Sequence, residues 1–281
     1  MYLCIMSDAD YSFLTDGDFT LPYKSYGSGD ELLLCFHGFG RISDDFHRFE
    51  KALGQKYTLI AFDFLYHGPH SVSVKKRLPV FTPAILSNMV EKLLWEKKKV
   101  RCSLMGYSQG GKTVMGLVYK IPHRIHEIFV LAPDGMKNNA IRNFIAKTYL
   151  GRRIGLKLVK SPETLHNIIR TMRFMKIISE KVKLFFISNT DEIDKRYRIY
   201  HSWIALRNYE IHPKLMNHYF HAKKIRVEFF IGKYDAIITP KSADLFLEKF
   251  NYKINLHELA CGHDLLSLHS QIEKVILTST P

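Results

Sequence analysis

The chain has 281 residues, 46% of them hydrophobic, and carries 41 lysines and arginines against 27 aspartates and glutamates, a net charge of +14. That length and apolar content suit a globular, enzyme-sized protein, either one large α/β domain or one domain with an insertion. No stretch approaches about eighteen uninterrupted apolar residues, which excludes a transmembrane helix, and the absence of a helix-turn-helix, zinc-finger or similar pattern leaves no nucleic-acid partner to match the positive charge. Residues 1–8 lack a basic leader and a long apolar run, so no secretory signal is expected. The four cysteines, at 4, 35, 102 and 261, stand too far apart in sequence to suggest a zinc site. A reduced, cytoplasmic protein without metal or cofactor is the simplest expectation.

In chain order, residues 19–26 alternate and end in Gly27-Ser28-Gly29-Asp30, which predicts a hairpin or edge strand. Residues 31–36 form a continuous apolar run, as a parallel strand covered on both faces requires. His37-Gly38-Phe39-Gly40 follows at its carboxyl end. Asp44 and Asp45 precede a helix with Phe46, Phe49 and Leu53 on its apolar face, and residues 57–63 form a second buried strand. The loop 63–68 leads on to Thr82, a cap residue followed by Pro83 at the first helical position, so a helix is expected from there to about residue 97.

Residues 99–105 read as a short strand, and 113–121 carry Val114, Met115, Leu117, Val118 and Ile121 at helical spacing before Pro122 ends the pattern. Between them lies Gly106-Tyr107-Ser108-Gln109-Gly110, a Gly-x-Ser-x-Gly pentapeptide. Its spacing has a steric origin: a serine on a sharp strand-to-helix turn sits in strained backbone, and side chains two residues away would collide with the turn. The pentapeptide alone is weakly specific, but strand, glycine-rich turn and helix together supply the context it needs. A further strand at 125–131 ends at Ala132-Pro133-Asp134-Gly135.

To this point strands alternate with helices, the signature of a mostly parallel sheet wrapped by helices. From 136 to 222 the alternation stops, and segments 141–150, 163–178 and 200–209 read as helices. It resumes with a strand at 225–231, a helix near 241–250, a last strand at 254–259, and a C-terminal helix after Cys261-Gly262-His263-Asp264.

Five landmarks thus occur in order: His37-Gly38-Phe39-Gly40, residues 63–68, the turn at Ser108, Gly232-Lys233-Tyr234-Asp235, and Gly262-His263. Their succession resembles the α/β-hydrolase superfamily over nearly the whole chain. The resemblance implies an α/β core domain made of 1–135 and 223–281, interrupted by an α-helical cap at 136–222. It also implies a catalytic triad in the chain order Ser108, Asp235, His263, with Ser108 as nucleophile, His263 as its base and Asp235 holding the imidazole. Asp134 ends a strand as well, where some members of the superfamily place the acid, and stays open as the alternative to Asp235. The backbone amides of Phe39 and Gln109 would form the oxyanion hole. His37 would organise the loop that carries Phe39, Asp63 would shape the loop after its strand, and Asp264 would point away from the site. Lys112 reads as a solvent-facing helix lysine.

The segment 136–222 holds 17 lysines and arginines against 6 aspartates and glutamates, a surplus of 11 out of the chain's 14. Two readings follow: a basic lid that concentrates an anionic substrate, or lysines and arginines that cover the outside while Phe174, Phe185, Phe186, Tyr200 and Trp203 pack against the core. The second is simpler. The leading functional expectation is an esterase-like serine hydrolase acting on a small acyl or ester substrate through an acyl-enzyme. A carbon–carbon bond hydrolase or menaquinone-pathway-like lyase acting on an anionic substrate, and a non-catalytic small-molecule receptor, are the alternatives.

Overall fold

The structure, a computed structural model, describes residues 11–278; Cys4 and the reading of residues 1–8 lie outside the described residues. The elements follow the alternation read from the sequence. β1 (Ser12–Asp16) and β2 (Phe19–Tyr26) form an antiparallel hairpin ahead of β3 (Glu31–Phe36). A 3-10 helix, Ser43–Phe49, runs into the short α1 (Glu50–Leu53), then β4 (Tyr57–Phe62), α2 (Pro83–Glu96), β5 (Cys102–Tyr107), α3 (Gln109–Val118) and β6 (Ile125–Leu131). Thr82 caps α2 as its residue type suggests, its Oγ1 accepting from the Ile85 amide at 3.3 Å.

The eight strands form one sheet in the order β1-β2-β4-β3-β5-β6, then β7 (Arg226–Gly232) and β8 (Asn255–Leu259). β2 meets β4 antiparallel, and every pairing from β4 to β8 is parallel. All six residues of β5 and five of the six in β3 are buried, which is why those runs read as unbroken apolar stretches rather than alternating ones. The chain steps from β3 outward to β4, then returns past β3 to β5 and continues to β6 on the other side. The carboxyl ends of β3 and β5 therefore lie side by side where the connections diverge, the place where open α/β sheets form a crevice. Cys35 and Cys102 are buried and reduced inside these strands.

Between β6 and β7 stand only helices: α4 (Ala140–Lys147), α5 (Tyr149–Lys160), α6 (Pro162–Phe174), α7 (Glu180–Ser188), α8 (Ile193–Ala205) and α9 (Pro213–Lys223). The segment expected as one helix at 141–150 is broken at Thr148, whose extended backbone and side chain cap α5 by accepting from the Gly151 amide. α5, α7 and α9 were not singled out by periodicity. α6 stops at Phe174 rather than 178, where Lys176 turns to φ 57°. α8 begins seven residues before the expected start, because its lysine- and arginine-rich first half hides the apolar stripe.

The inserted helices have a small core of their own, Val159, Tyr200 and Ile204, bolstered by Ile145, Leu156 and Tyr197. Buried Arg196 ties it together by donating to the carbonyls of Val159, Thr190 and Asp191 at 2.7–2.8 Å. The far end of the insertion joins the main core, where α9 buries Met216 and Phe220. Phe174, expected to pack against the core, is 87% exposed. After β7 come α10 (Pro240–Leu247), β8 and α11 (His269–Thr278). Among the described residues no helix is long and apolar enough to cross a membrane.

Candidate active site

Four loops meet above the sheet edge: the β3 loop with His37 to Gly40, the turn after β5, and the pair of loops that leave β7 and β8. The turn is the sharpest. Ser108 sits at φ 52°, ψ −111°, outside the regions open to ordinary L-residues. Its conformation is held by the Ser108 amide donating to Leu131 O at 2.8 Å and by the Asp134 amide donating to Ser108 O at 2.9 Å. The glycines around it answer a real close approach: a Cβ on Gly110 would come within 1.8 Å of Phe36 O, and one on Gly106 within 2.4 Å of Gly110 O. The strand runs two residues further than the spacing suggested, and α3 begins directly at Gln109.

His263, from the loop after β8, bridges two groups. Its Nε2 lies 3.1 Å from Ser108 Oγ and its Nδ1 lies 2.7 Å from Asp235 Oδ2. Asp235 is buried, and its other oxygen accepts from the amides of Ile237 at 2.8 Å and Ile238 at 2.9 Å. These donors hold the carboxylate in place. The two loops are laced together, the Lys233 amide donating to Leu259 O and the Tyr234 amide to Cys261 O. Asp134 stands elsewhere: its Oδ2 is paired with Arg142 Nη1 at 2.5 Å. Asp264, next to the histidine, is engaged by Arg41 at 2.6 Å.

Among the described residues neither the Phe39 nor the Gln109 backbone N–H donates a hydrogen bond. Gln109 opens α3, where free amides and the helix dipole favour negative charge. The β3 loop is fixed by two buried histidines. His37 Nε2 accepts from the Phe64 amide at 2.9 Å while Nδ1 sits 2.7 Å from Gly38 O. His67 Nε2 accepts from the Gly40 amide at 3.0 Å while Nδ1 sits 2.8 Å from Leu65 O. Both ring nitrogens of each are thus occupied by backbone, and burial holds both imidazoles below their usual range. They are neutral braces for the loop. Asp63 braces the same region, accepting from the Ser43 amide at 2.6 Å and from the Tyr11 hydroxyl at 3.1 Å.

Sequence reading missed His67 and Tyr107. Tyr107 donates its hydroxyl to His263 O at 2.8 Å and lies against the imidazole ring. The only hint was their position, inside or beside the landmark motifs. Elsewhere, Glu31, His126 and Glu127 bring metal-capable atoms within 4.8 Å of one another. Glu127 is already committed to Tyr57, Ser103 and Arg226, and Lys56 stands 3.9 Å away, surroundings that disfavour a cation.

Residues 31–165 match the α/β hydrolase fold family. The chain is 27% identical over 194 residues to an sn-1-specific diacylglycerol lipase of Danio rerio, a stretch covering 66% of this chain and 58% of that one. It is 28% identical over 127 residues to the dihydrolipoyllysine-residue acetyltransferase component of the acetoin cleaving system of Cupriavidus necator, covering 45% and 33%. The chain therefore spans only about a third to three-fifths of the length of these relatives. Among solved structures, a thermophilic esterase from Thermogutta terrifontis superposes with TM-score 0.67 at 14% identity over 95% of this chain and 96% of that one. A hydrolase from Pseudomonas aeruginosa superposes with TM-score 0.66 at 18% identity over 97% and 98%. Sheet order, strained turn and these likenesses agree: the chain has the α/β-hydrolase fold, and its residues 31–165 match that family.

Proposed function

We propose that the protein is a serine hydrolase that cleaves a carboxylic ester, or a related acyl bond, through an acyl-enzyme. The observation that carries this reading is His263 spanning Ser108 Oγ at 3.1 Å and Asp235 Oδ2 at 2.7 Å. With Nδ1–H donating to Asp235, Nε2 is left as the acceptor facing the serine hydroxyl. As Ser108 Oγ attacks the acyl carbon, its proton passes to Nε2, and the carboxylate of Asp235 stabilises the imidazolium. The negative charge that develops on the carbonyl oxygen faces the unused amides of Phe39 and Gln109, donors already aimed before the reaction begins. His263 then gives its proton to the departing alcohol. A water, deprotonated by the same nitrogen, attacks the acyl-enzyme and releases the acid. The strained backbone at Ser108 keeps its hydroxyl raised over the sheet, so the attack needs little reorganisation. In this reading the helices of 136–222 act as a cap over the crevice.

The likeness to esterases in fold, and to a lipase in part of the sequence, supports the acyl-transfer class. A fluorophosphonate probe should label wild-type protein at Ser108 and leave the Ser108→Ala variant unlabelled. An unlabelled wild type refutes the reading. Turnover of p-nitrophenyl esters separates it from carbon–carbon bond cleavage or elimination on the same fold: labelling without any ester turnover supports that second class, which the cationic insertion would suit.

A further inference from the structure

Lys112 is not the solvent-facing lysine its helix position suggests. It lines a cavity of about 460 Å³ enclosed by α3, the loop after β6, α4, α8, the loop 206–213 and α10. Ser108 itself does not line the cavity, but its neighbours do: Gln109 forms part of the wall, and so does Asp134, whose amide is bonded to Ser108 O. Gly135, at φ 92°, makes room for the lysine stem, since a Cβ there would come within 3.1 Å of Lys112 Cδ. The ammonium is partly buried and, among the described residues, makes no hydrogen bond or ion pair. The two carboxylates on the walls are already taken, Asp134 by Arg142 and Glu210 by Lys147. Lys137, Arg207 and Lys249 add three more cations, while Trp203, Leu206 and Phe246 supply apolar wall. Six cations against two anions, around a lysine with three unused N–H donors, make a chamber built for negative charge.

We infer that this chamber is a subsite for an anionic group, a carboxylate or phosphate, carried by the ester away from its scissile bond, with Lys112 as its direct partner. The inference rests on the serine-hydrolase reading and deepens it to a substrate class. A charge-assisted hydrogen bond from an ammonium that water solvates poorly is the strong kind. Burial lowers Lys112 toward a pKa of about 8, with Arg142 and Lys147 pushing the same way and Asp134 and Glu210 opposing, so a bound anion also relieves an unfavourable charge.

Paired substrates test this on the acyl and the alcohol side. The first pair is mono-p-nitrophenyl adipate against p-nitrophenyl hexanoate. The second sets butyryl glycolate, and the butyryl ester of hydroxyethyl phosphate, against ethyl butyrate. At least one anionic ester should show the higher kcat/KM, and Lys112→Met should lower that anionic-to-neutral ratio about 10- to 100-fold. Lys112→Arg should restore much of it, and Lys92→Met, on the exposed face of α2, should leave it as in wild type. If Ser108 is still labelled by fluorophosphonate but no ratio moves more than about twofold in Lys112→Met, the subsite is refuted and the hydrolase reading stands. If Ser108 is not labelled at all, the hydrolase reading falls and the subsite falls with it. The split between carboxylate and phosphate esters identifies which anion the chamber takes.

Discussion

The α/β core and the inserted helices are held together in different ways. In the core, the strands that carry the site are buried from end to end, and Ser108, Asp235 and His263 are each fixed by bonds from backbone or from one another. Away from the main core, the insertion rests on a small cluster of three buried apolar residues tied to its surroundings by buried Arg196. It leaves Phe174, Met175 and Ile177 largely in solvent. The first region can hold atoms to fractions of an ångström because close-packed strands leave no room to shift. The second is anchored to the main core chiefly at its far end, through residues such as Leu206, Met216 and Phe220. Its cationic wall runs beside Gln109, the residue after Ser108, so the two regions meet next to the strained turn.

The sharpest break of this contrast is in the core. Ser108→Ala or His263→Ala should lower kcat for ester hydrolysis by about 10⁶-fold with little change in KM, measured on p-nitrophenyl butyrate. Asp235→Asn should cost about 10⁴-fold, whereas Asp134→Asn, which loses only the Arg142 pair, should stay within about tenfold. A large loss from the second and a small one from the first would transfer the acid to Asp134. Truncating the core aromatic Phe129→Ala should remove about 3–5 kcal/mol of stability by urea unfolding.

A smaller effect is expected at the border. The preference for anionic esters should hold below pH 8 and fade as pH rises through about 8, where Lys112 loses its proton. The sign follows from the lowered lysine pKa: the cation that attracts the anion exists only on the acid side. In kcat/KM ratios of anionic to neutral ester, a preference that persists to pH 10 would assign the attraction to the other cations of the chamber instead of Lys112. Least of all, Phe174→Ser should change stability by no more than about 0.5 kcal/mol. A large loss there would mean the insertion packs as tightly as the core.

The core was legible because each of its features repeats a local rule. Strands covered on both faces read as apolar runs, Thr82-Pro83 reads as a helix start, and Gly106 and Gly110 mark a turn that tolerates no side chain. The insertion was legible only as helical. Its breaks depend on single caps such as Thr148, and its lysine- and arginine-rich helices hide their inner faces. Lys112 was misplaced for a related reason: helical spacing says which residues share a face, but not whether a distant segment, here α4 and α8, closes over that face.

The sequence by itself determined the order of strands and helices, the strained serine turn and the short list of residues able to work with it, because those are local consequences of backbone sterics and side-chain patterning. Only the tertiary structure decided which carboxylate faces His263, how His37 and His67 brace the β3 loop, and that the surplus positive charge partly surrounds a chamber beside Ser108. Those outcomes depend on residues tens to more than a hundred positions apart meeting at the carboxyl edge of one sheet, and sequence spacing carries no measure of such distances.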